Sequence, residues 1–220
     1  MSLIHRTTLT PTKLELLTDW LPRQPWYAGS GRRPELAKAG GFRLDDPLGE
    51  VGVEFMVVTD QDGAAYHVPM AYRGAPRTGA EDALIGTTEH GVLGRRWIYD
   101  GAHDPVVVAQ LIALVRGEAK AQAQSVSDTP DPSVARHYAG PSGAVSGAGS
   151  VTDGPQATTD VTVDAGPAGR LVLRVTRALR PGAADDGAGD VLGHVEAPWQ
   201  QPDGTGARAV LASLRKAANG

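Results

Sequence analysis

The chain has 220 residues, 28 of them glycine and 16 proline, with a hydrophobic fraction of 41%; this allows one large domain or two small ones, rich in turns. A formal net charge of −4 and a sequence pI near 5.8 argue against a general nucleic-acid binder, which needs a basic face. No cysteine is present, which excludes disulfides, thiolate metal sites and cysteine nucleophiles and fits a reducing cytoplasm.

The opening residues, MSLIHRTTLTPTK, lack the apolar stretch of a signal peptide. No run of about 18 apolar residues follows, so no membrane partner is expected and the protein reads as cytoplasmic. Thr10-Pro11 reads as an N-cap followed by proline at the first helical position. Leu14, Leu17 and Leu21 then recur at helical spacing beside Leu16 and Trp20, predicting a short amphipathic helix that stops at Pro22.

Trp20 to Pro34, WLPRQPWYAGSGRRP, places Trp20, Trp26 and Tyr27 close together before a glycine-serine-glycine turn and two arginines. Beyond it, Val51, Val53, Phe55 and Val57 share one face at period two. Asp60 to Gly63 supplies a turn, and Ala64 to Tyr72 returns as the partner strand. Pro69 lacks an N–H and fits best at an edge. Arg95 to Tyr99 predicts another strand. Asp104-Pro105 repeats the cap-plus-proline signal, and Val108, Leu111, Ile112 and Val115 predict a central helix ending near Gly117.

After Lys120 the composition turns to Ser, Gly, Ala, Pro and Asp. Residues 121–158 therefore read as a flexible linker unable to bury enough apolar area to offset its ordering entropy. Asp160 to Asp164 and Arg170 to Arg180 alternate as strands, with Leu171, Leu173 and Val175 on one face and Val172, Arg174 and Thr176 on the other. A further strand is expected over Val191 to Ala197, then a terminal helix with Ala207, Val210, Leu211 and Leu214 as its buried stripe. The fold class is α+β, with a first domain over 1–120 and a small β-rich part over 159–220 docked on it.

Trp26 and Tyr27 are candidates for stacking on a sugar ring or a partner; burial in the domain's own core is the competing reading. Ser30 and Arg32, with the flanking glycines, form either an anion cradle or a plain turn. Arg174 and Arg177 are candidate phosphate contacts, with solvated strand arginines as the alternative. Arg177 falls on the apolar face of its strand, which marks an unusual environment. The six histidines show no H-x-x-x-H or H-E-x-x-H spacing, so no metal site is expected.

WLPRQPWYAGSGRRP resembles the W-L-P-x-Q-R-W-F-A-G-K-G-R segment near the start of actinobacterial maltokinases, with Ser30 where lysine is usual. HVPMAYRG resembles the strand after the first hairpin of that family. WIYDGAHDPVVVAQLIALVRG is similar to its tyrosine-aspartate strand end and following helix. The resemblance covers roughly residues 10 to 118 and implies an N-terminal cap: a curved antiparallel sheet packed on helices, somewhat cystatin-like, seated on an ATP-dependent sugar kinase. LVLRVTRALRPG resembles the intermediate subdomain strand that carries a nucleotide-contacting lysine, which places Arg174 at that position. Arginine's planar fork does not replace a compact ammonium.

Sugar kinases of this kind need a catalytic aspartate with a nearby asparagine and a metal-binding aspartate, carried in a helical C-lobe. No H-G-D-x-x-x-x-N and no G-x-x-x-x-G-K-[ST] occurs, and the sequence ends about where that lobe would begin. The expectation is a non-catalytic cap-like protein, without cofactor, in maltose, trehalose or α-glucan metabolism of an actinobacterium. Alternatives are the N-terminal component of a split kinase, using ATP and Mg²⁺ with a C-lobe or pathway partner, and a structural self-associating protein.

Overall fold

The first helix starts at Thr12. In the computed structural model of the chain, which describes residues 9–124, 126, 128–141, 146–166, 169–182 and 190–217, the Thr12 hydroxyl accepts from the Glu15 amide at 3.3 Å. Glu15 Oε2 in turn accepts from the Thr12 amide at 2.7 Å. This reciprocal capping box sets the boundary after Thr10-Pro11, correcting the expected cap. Helix α1 spans Lys13–Trp20 and continues into a 3-10 turn at Leu21–Arg23 instead of stopping at Pro22. Pro22 has no N–H with which to extend the α-helical ladder, and the chain closes in a tighter 3-10 turn.

Strands β1 (Leu9–Thr10), β2 (Ala37–Leu44), β3 (Gly52–Thr59), β4 (Ala65–Arg73), β5 (Leu84–His90) and β6 (Gly94–Asp100) follow the spatial order β1-β5-β6-β4-β3-β2. Helix α2 (Pro105–Arg116) comes next, capped by Asp104 and closed by Gly117. The short strands β7 (Gln122–Ala123) and β8 (Ala135–Tyr138) pair with β2 and with a later strand. The second half of the sheet holds β9 (Ser146–Gly154), β10 (Thr158–Asp164) and β11 (Arg170–Thr176). It also holds β13 (Val191–Gln200) and β14 (Gly206–Lys216), whereas β12 (Ala178–Leu179) pairs with β4. Its order is β13-β14-β11-β10-β9, and Gly40 paired with Trp199 joins it to β2.

The fold is sheet-rich, with two α-helices among the described residues. The expected terminal helix is strand β14, and the reason is a bulge. Register steps from Val195↔Ala212 to Glu196↔Val210, so Leu211 is the extra residue. Core-facing positions therefore switch from Ala207 and Ala209 to Ala212 and Leu214. A bulge inside a period-two pattern imitates helical spacing, which is what the apolar stripe displayed. Within 121–158, read as a linker, the described residues include β7, β8 and β9. Ladders use backbone groups alone, so a composition poor in apolar side chains does not forbid them. Residues 125, 127 and 142–145 of that stretch lie outside the described ones.

One core cluster gathers the inner faces of both halves around α2: Phe42, Val53, Phe55 and Val57 from the first, Val161, Leu173, Val175 and Leu214 from the second, and Leu111 and Val115 from the helix. The rings of Phe42 and Phe55 stack at 4.6 Å. A second cluster, on the opposite face of the first half, packs Leu17, Trp20, Leu21 and Trp26 against Met56, Val58, Tyr66 and Ile98. The hairpin face predicted from Val51, Val53, Phe55 and Val57 is the face that meets α2.

Pro69 is not at an edge, since β4 lies between β3 and β6. It sits where β4 changes neighbours. β6 pairs with Met70 to Arg73, and β12 pairs with Ala65 and Tyr66. The amide of His67 donates to the Arg177 carbonyl at 2.8 Å on that side. The missing N–H of Pro69, two residues on, points to the same side and falls in the gap between the two neighbours.

Candidate functional site

The aromatic segment forms a corner on the outer face of β4. Trp26 meets Trp20 edge-on at 5.8 Å and Tyr66 at 6.3 Å, and Tyr27 lies 5.1 Å from Tyr66. Trp26 is buried, whereas Tyr27 is part-exposed. Burial, with help from Asp60, pushes the Tyr66 hydroxyl up to about 12. A Cβ at Gly29 would enter the space held by the Tyr27 ring, so the turn needs glycine for close approach. Past the turn, Ser30 Oγ donates to Asp62 at 2.9 Å, and Arg32 Nη2 reaches the other oxygen of Asp62 at 3.2 Å. Ser30 and Arg32 are thus brought together at the tip of the β3–β4 turn, on the surface.

Arg177 reaches the same corner from the second half. Its side chain is 0% exposed. Nη2 donates to Asp100 Oδ2 at 2.6 Å, Nε donates to Thr159 Oγ1 at 2.8 Å, and the guanidinium lies 5.1 Å from the Trp26 ring. Charge pairing, a hydroxyl acceptor and an aromatic face together make this buried cation tenable. Beside it, His67 is fully buried, with Nδ1 3.0 Å from the Thr176 carbonyl. Burial drives the imidazole down to about 3, and Arg177 adds to the effect. The ring is therefore neutral at physiological pH, with Nδ1–H as the donor to that carbonyl. Residues 176–179 act as a tab from the second half that fills the open side of β4.

Asp100 and Asp104 organise the end of β6. Asp100 Oδ1 accepts from the Ala102 amide at 3.2 Å, and Asp104 caps α2. Arg73 grips Asp104 at 2.6 and 2.9 Å, and that pairing holds the guanidinium above its usual range. A further polar cluster escaped sequence reasoning. Glu54 accepts from Lys13 at 2.7 Å, from Tyr72 at 2.6 Å and from Gln124 at 3.1 Å. Burial first, and Glu54 second, push the Tyr72 hydroxyl well up. The one signal for it was a carboxylate amid the apolar residues of β3.

Arg174 lies elsewhere. Thr152, Asp160, Arg174, Ser213, His194 and His137 face one another in register across β9, β10, β11, β14, β13 and β8. Opposed residues of an antiparallel pair share a face, so this is a polar row on the side of the second half away from α2. Within it, Arg174 Nε and Nη2 each meet a different oxygen of Asp160 at 2.7 Å. The structure therefore unites Trp26, Tyr27 and Arg177 at one corner, sets Ser30 and Arg32 at its rim, and holds Arg174 apart.

The sheet of the first half has its outer face closed by α1 and a tryptophan corner and its inner face on α2. Residues 20–104 match the family model of the maltokinase N-terminal cap domain, so the chain carries a maltokinase N-cap-like domain. The match opens at Trp20, in the corner, and closes at Asp104, the buried cap of α2. Arg174 and Arg177 lie outside it. Among the described residues, no helix is long and apolar enough to cross a membrane.

Proposed function

We propose that the chain is a maltokinase-related accessory module that acts by binding, in maltose, trehalose or α-glucan metabolism. The cap match supports the link to the kinase family. The observation that carries the non-catalytic reading is the state of Arg174. Phosphoryl transfer depends on cationic groups and Mg²⁺ aimed at the phosphates. A guanidinium whose fork is filled by Asp160 at 2.7 Å on both arms is neutralised within the protein. The binding surface in this reading is the exposed rim of Tyr27, Ser30 and Arg32. A coupled assay for ATP-dependent phosphorylation of maltose and amino sugars is expected to show no turnover by the purified chain. Clear turnover would overturn the proposal. Tryptophan fluorescence titrated with maltose and trehalose tests the binding arm, with loss of the response in Arg32→Ala.

A second reading, the N-terminal component of a split ATP-dependent sugar kinase, has one observation in its favour. The Arg177–Asp100 pair ties the cap to the strand whose LVLRVTRALRPG segment resembles, in sequence, the intermediate subdomain of the sugar kinases. Co-purification with a C-lobe polypeptide, and activity only in the mixture with ATP and Mg²⁺, would select it.

A further inference from the structure

The β9–β10 hairpin closes through Pro155, Gln156 and Ala157, since Gly154 pairs with Thr158. Gln156 and Ala157 have φ of +55° and +57°, in the left-handed region that residues with a Cβ rarely occupy. A hairpin turn with two such positions selects Asn-Gly, which adopts them with little strain. Contacts account for Ala157. Its carbonyl accepts from the Arg177 amide at 2.9 Å and from the Ala178 amide at 3.4 Å, and its methyl packs on the cluster that holds Trp26, Tyr27 and Tyr66. Nothing comparable holds Gln156. It is exposed, and among the described residues its carboxamide makes no hydrogen bond. Glycine there would relieve the strain, so a retained glutamine side chain marks a use outside the turn.

We propose that Gln156 is a ligand contact that the second half adds to the rim of Tyr27, Ser30 and Arg32, and that the ligand is a neutral, unphosphorylated sugar lying across the seam. This holds only if that rim is the binding surface proposed for the chain. Ala157 is hydrogen-bonded to the tab, and Arg177 of the tab lies 5.1 Å from the ring of Trp26, the neighbour of Tyr27. The turn therefore borders the corner from the side of the second half, and a seam between packed halves is a common place for a ligand site. The groups at the rim suit hydroxyls better than phosphate. Arg32 is paired with Asp62 at 3.2 Å, so it is not a free cation. Burial first, then Asp60 and Asp62, hold the Tyr27 hydroxyl above its usual range. The phenol stays a neutral donor, and the same carboxylates set a negative field that repels an anion. A carboxamide both donates and accepts, as a sugar hydroxyl does, and the part-exposed Tyr27 ring offers apolar surface to the C–H face of a pyranose.

The test combines tryptophan fluorescence of the full chain, titrated with maltose and with trehalose, and thermal melts of the same proteins. Gln156→Gly should keep or raise Tm, because the turn is relieved, and weaken sugar binding about fivefold, the loss of one hydrogen bond. Gln156→Asn keeps a carboxamide on a residue that tolerates the left-handed region, and should bind more tightly than Gln156→Gly. Trehalose 6-phosphate should bind more weakly than trehalose. Wild-type affinity in Gln156→Gly, with the response lost in Arg32→Ala, would overturn the role of Gln156 and leave the rim standing. A clear fall in Tm for Gln156→Gly would show that the side chain serves the fold, and would overturn that role equally. Tighter binding of the phosphate would overturn the neutral ligand, and a wild type silent to both sugars would overturn the rim as well.

Discussion

Asp100→Asn keeps the shape of the side chain and removes its charge. The change leaves the Arg177 guanidinium, 0% exposed, with Thr159 Oγ1 at 2.8 Å and the face of Trp26 as its remaining partners. Neither supplies a compensating negative charge. Breaking a buried pair from one side costs about 3–5 kcal/mol, because the stranded charge cannot recover its hydration. For a chain of this size, each kcal/mol is worth about 2–4 °C in Tm, so a fall of roughly 6–20 °C is expected. Replacing both partners, Asp100→Asn with Arg177→Met, removes the stranded charge. The double variant should therefore lose less than the sum of the two single losses, with a coupling of about 1–3 kcal/mol. Urea unfolding followed by far-UV circular dichroism and by tryptophan fluorescence measures all four proteins. A loss under about 1 kcal/mol for Asp100→Asn, or strict additivity in the cycle, would refute the view that this pair holds the two halves together.

His67 should make the protein sensitive to acid. Its folded value, about 3, lies below the unfolded value of 6.5, so the unfolded chain binds more protons between those limits. The stabilisation is complete above pH 6.5 and fades as pH falls. From pH 8 to pH 5 the loss is about 2 kcal/mol, readable as the difference in pH response between wild type and His67→Asn in urea melts; equal responses would contradict it. Thr12→Ala opens the capping box of α1 and should cost about 1 kcal/mol by thermal denaturation, whereas Ser30→Ala, at an exposed turn, should cost less. Gly41 has a φ of +128°, and a Cβ there would meet the Phe55 carbonyl oxygen and lie 2.6 Å from Gln124 Nε2. Gly41→Ala is therefore expected to lose about 2 kcal/mol or more, and a neutral result would show that β2 can shift away from β3.

Local signals were sufficient wherever the deciding contacts lie within a few residues. The alternation of Val51, Val53, Phe55 and Val57 fixed which face of β3 is buried, and Asp104-Pro105 with Gly117 marked both ends of α2. The aromatic corner was legible as a motif, and the apolar phase of Arg177 marked it as unusual. Tertiary pairing decided the rest. Nothing near Ala207 announces that its strand carries a bulge, because the bulge exists only relative to β13. Whether Arg177 meets solvent or Asp100, and whether Arg174 meets a phosphate or Asp160, depends on partners supplied by other strands. His137 and His194 share no sequence spacing, and only the ladder between β8 and β13 makes them neighbours. Periodicity reports which side of an element is apolar; what faces a charged side chain is set by strands that the chain brings alongside from a distance.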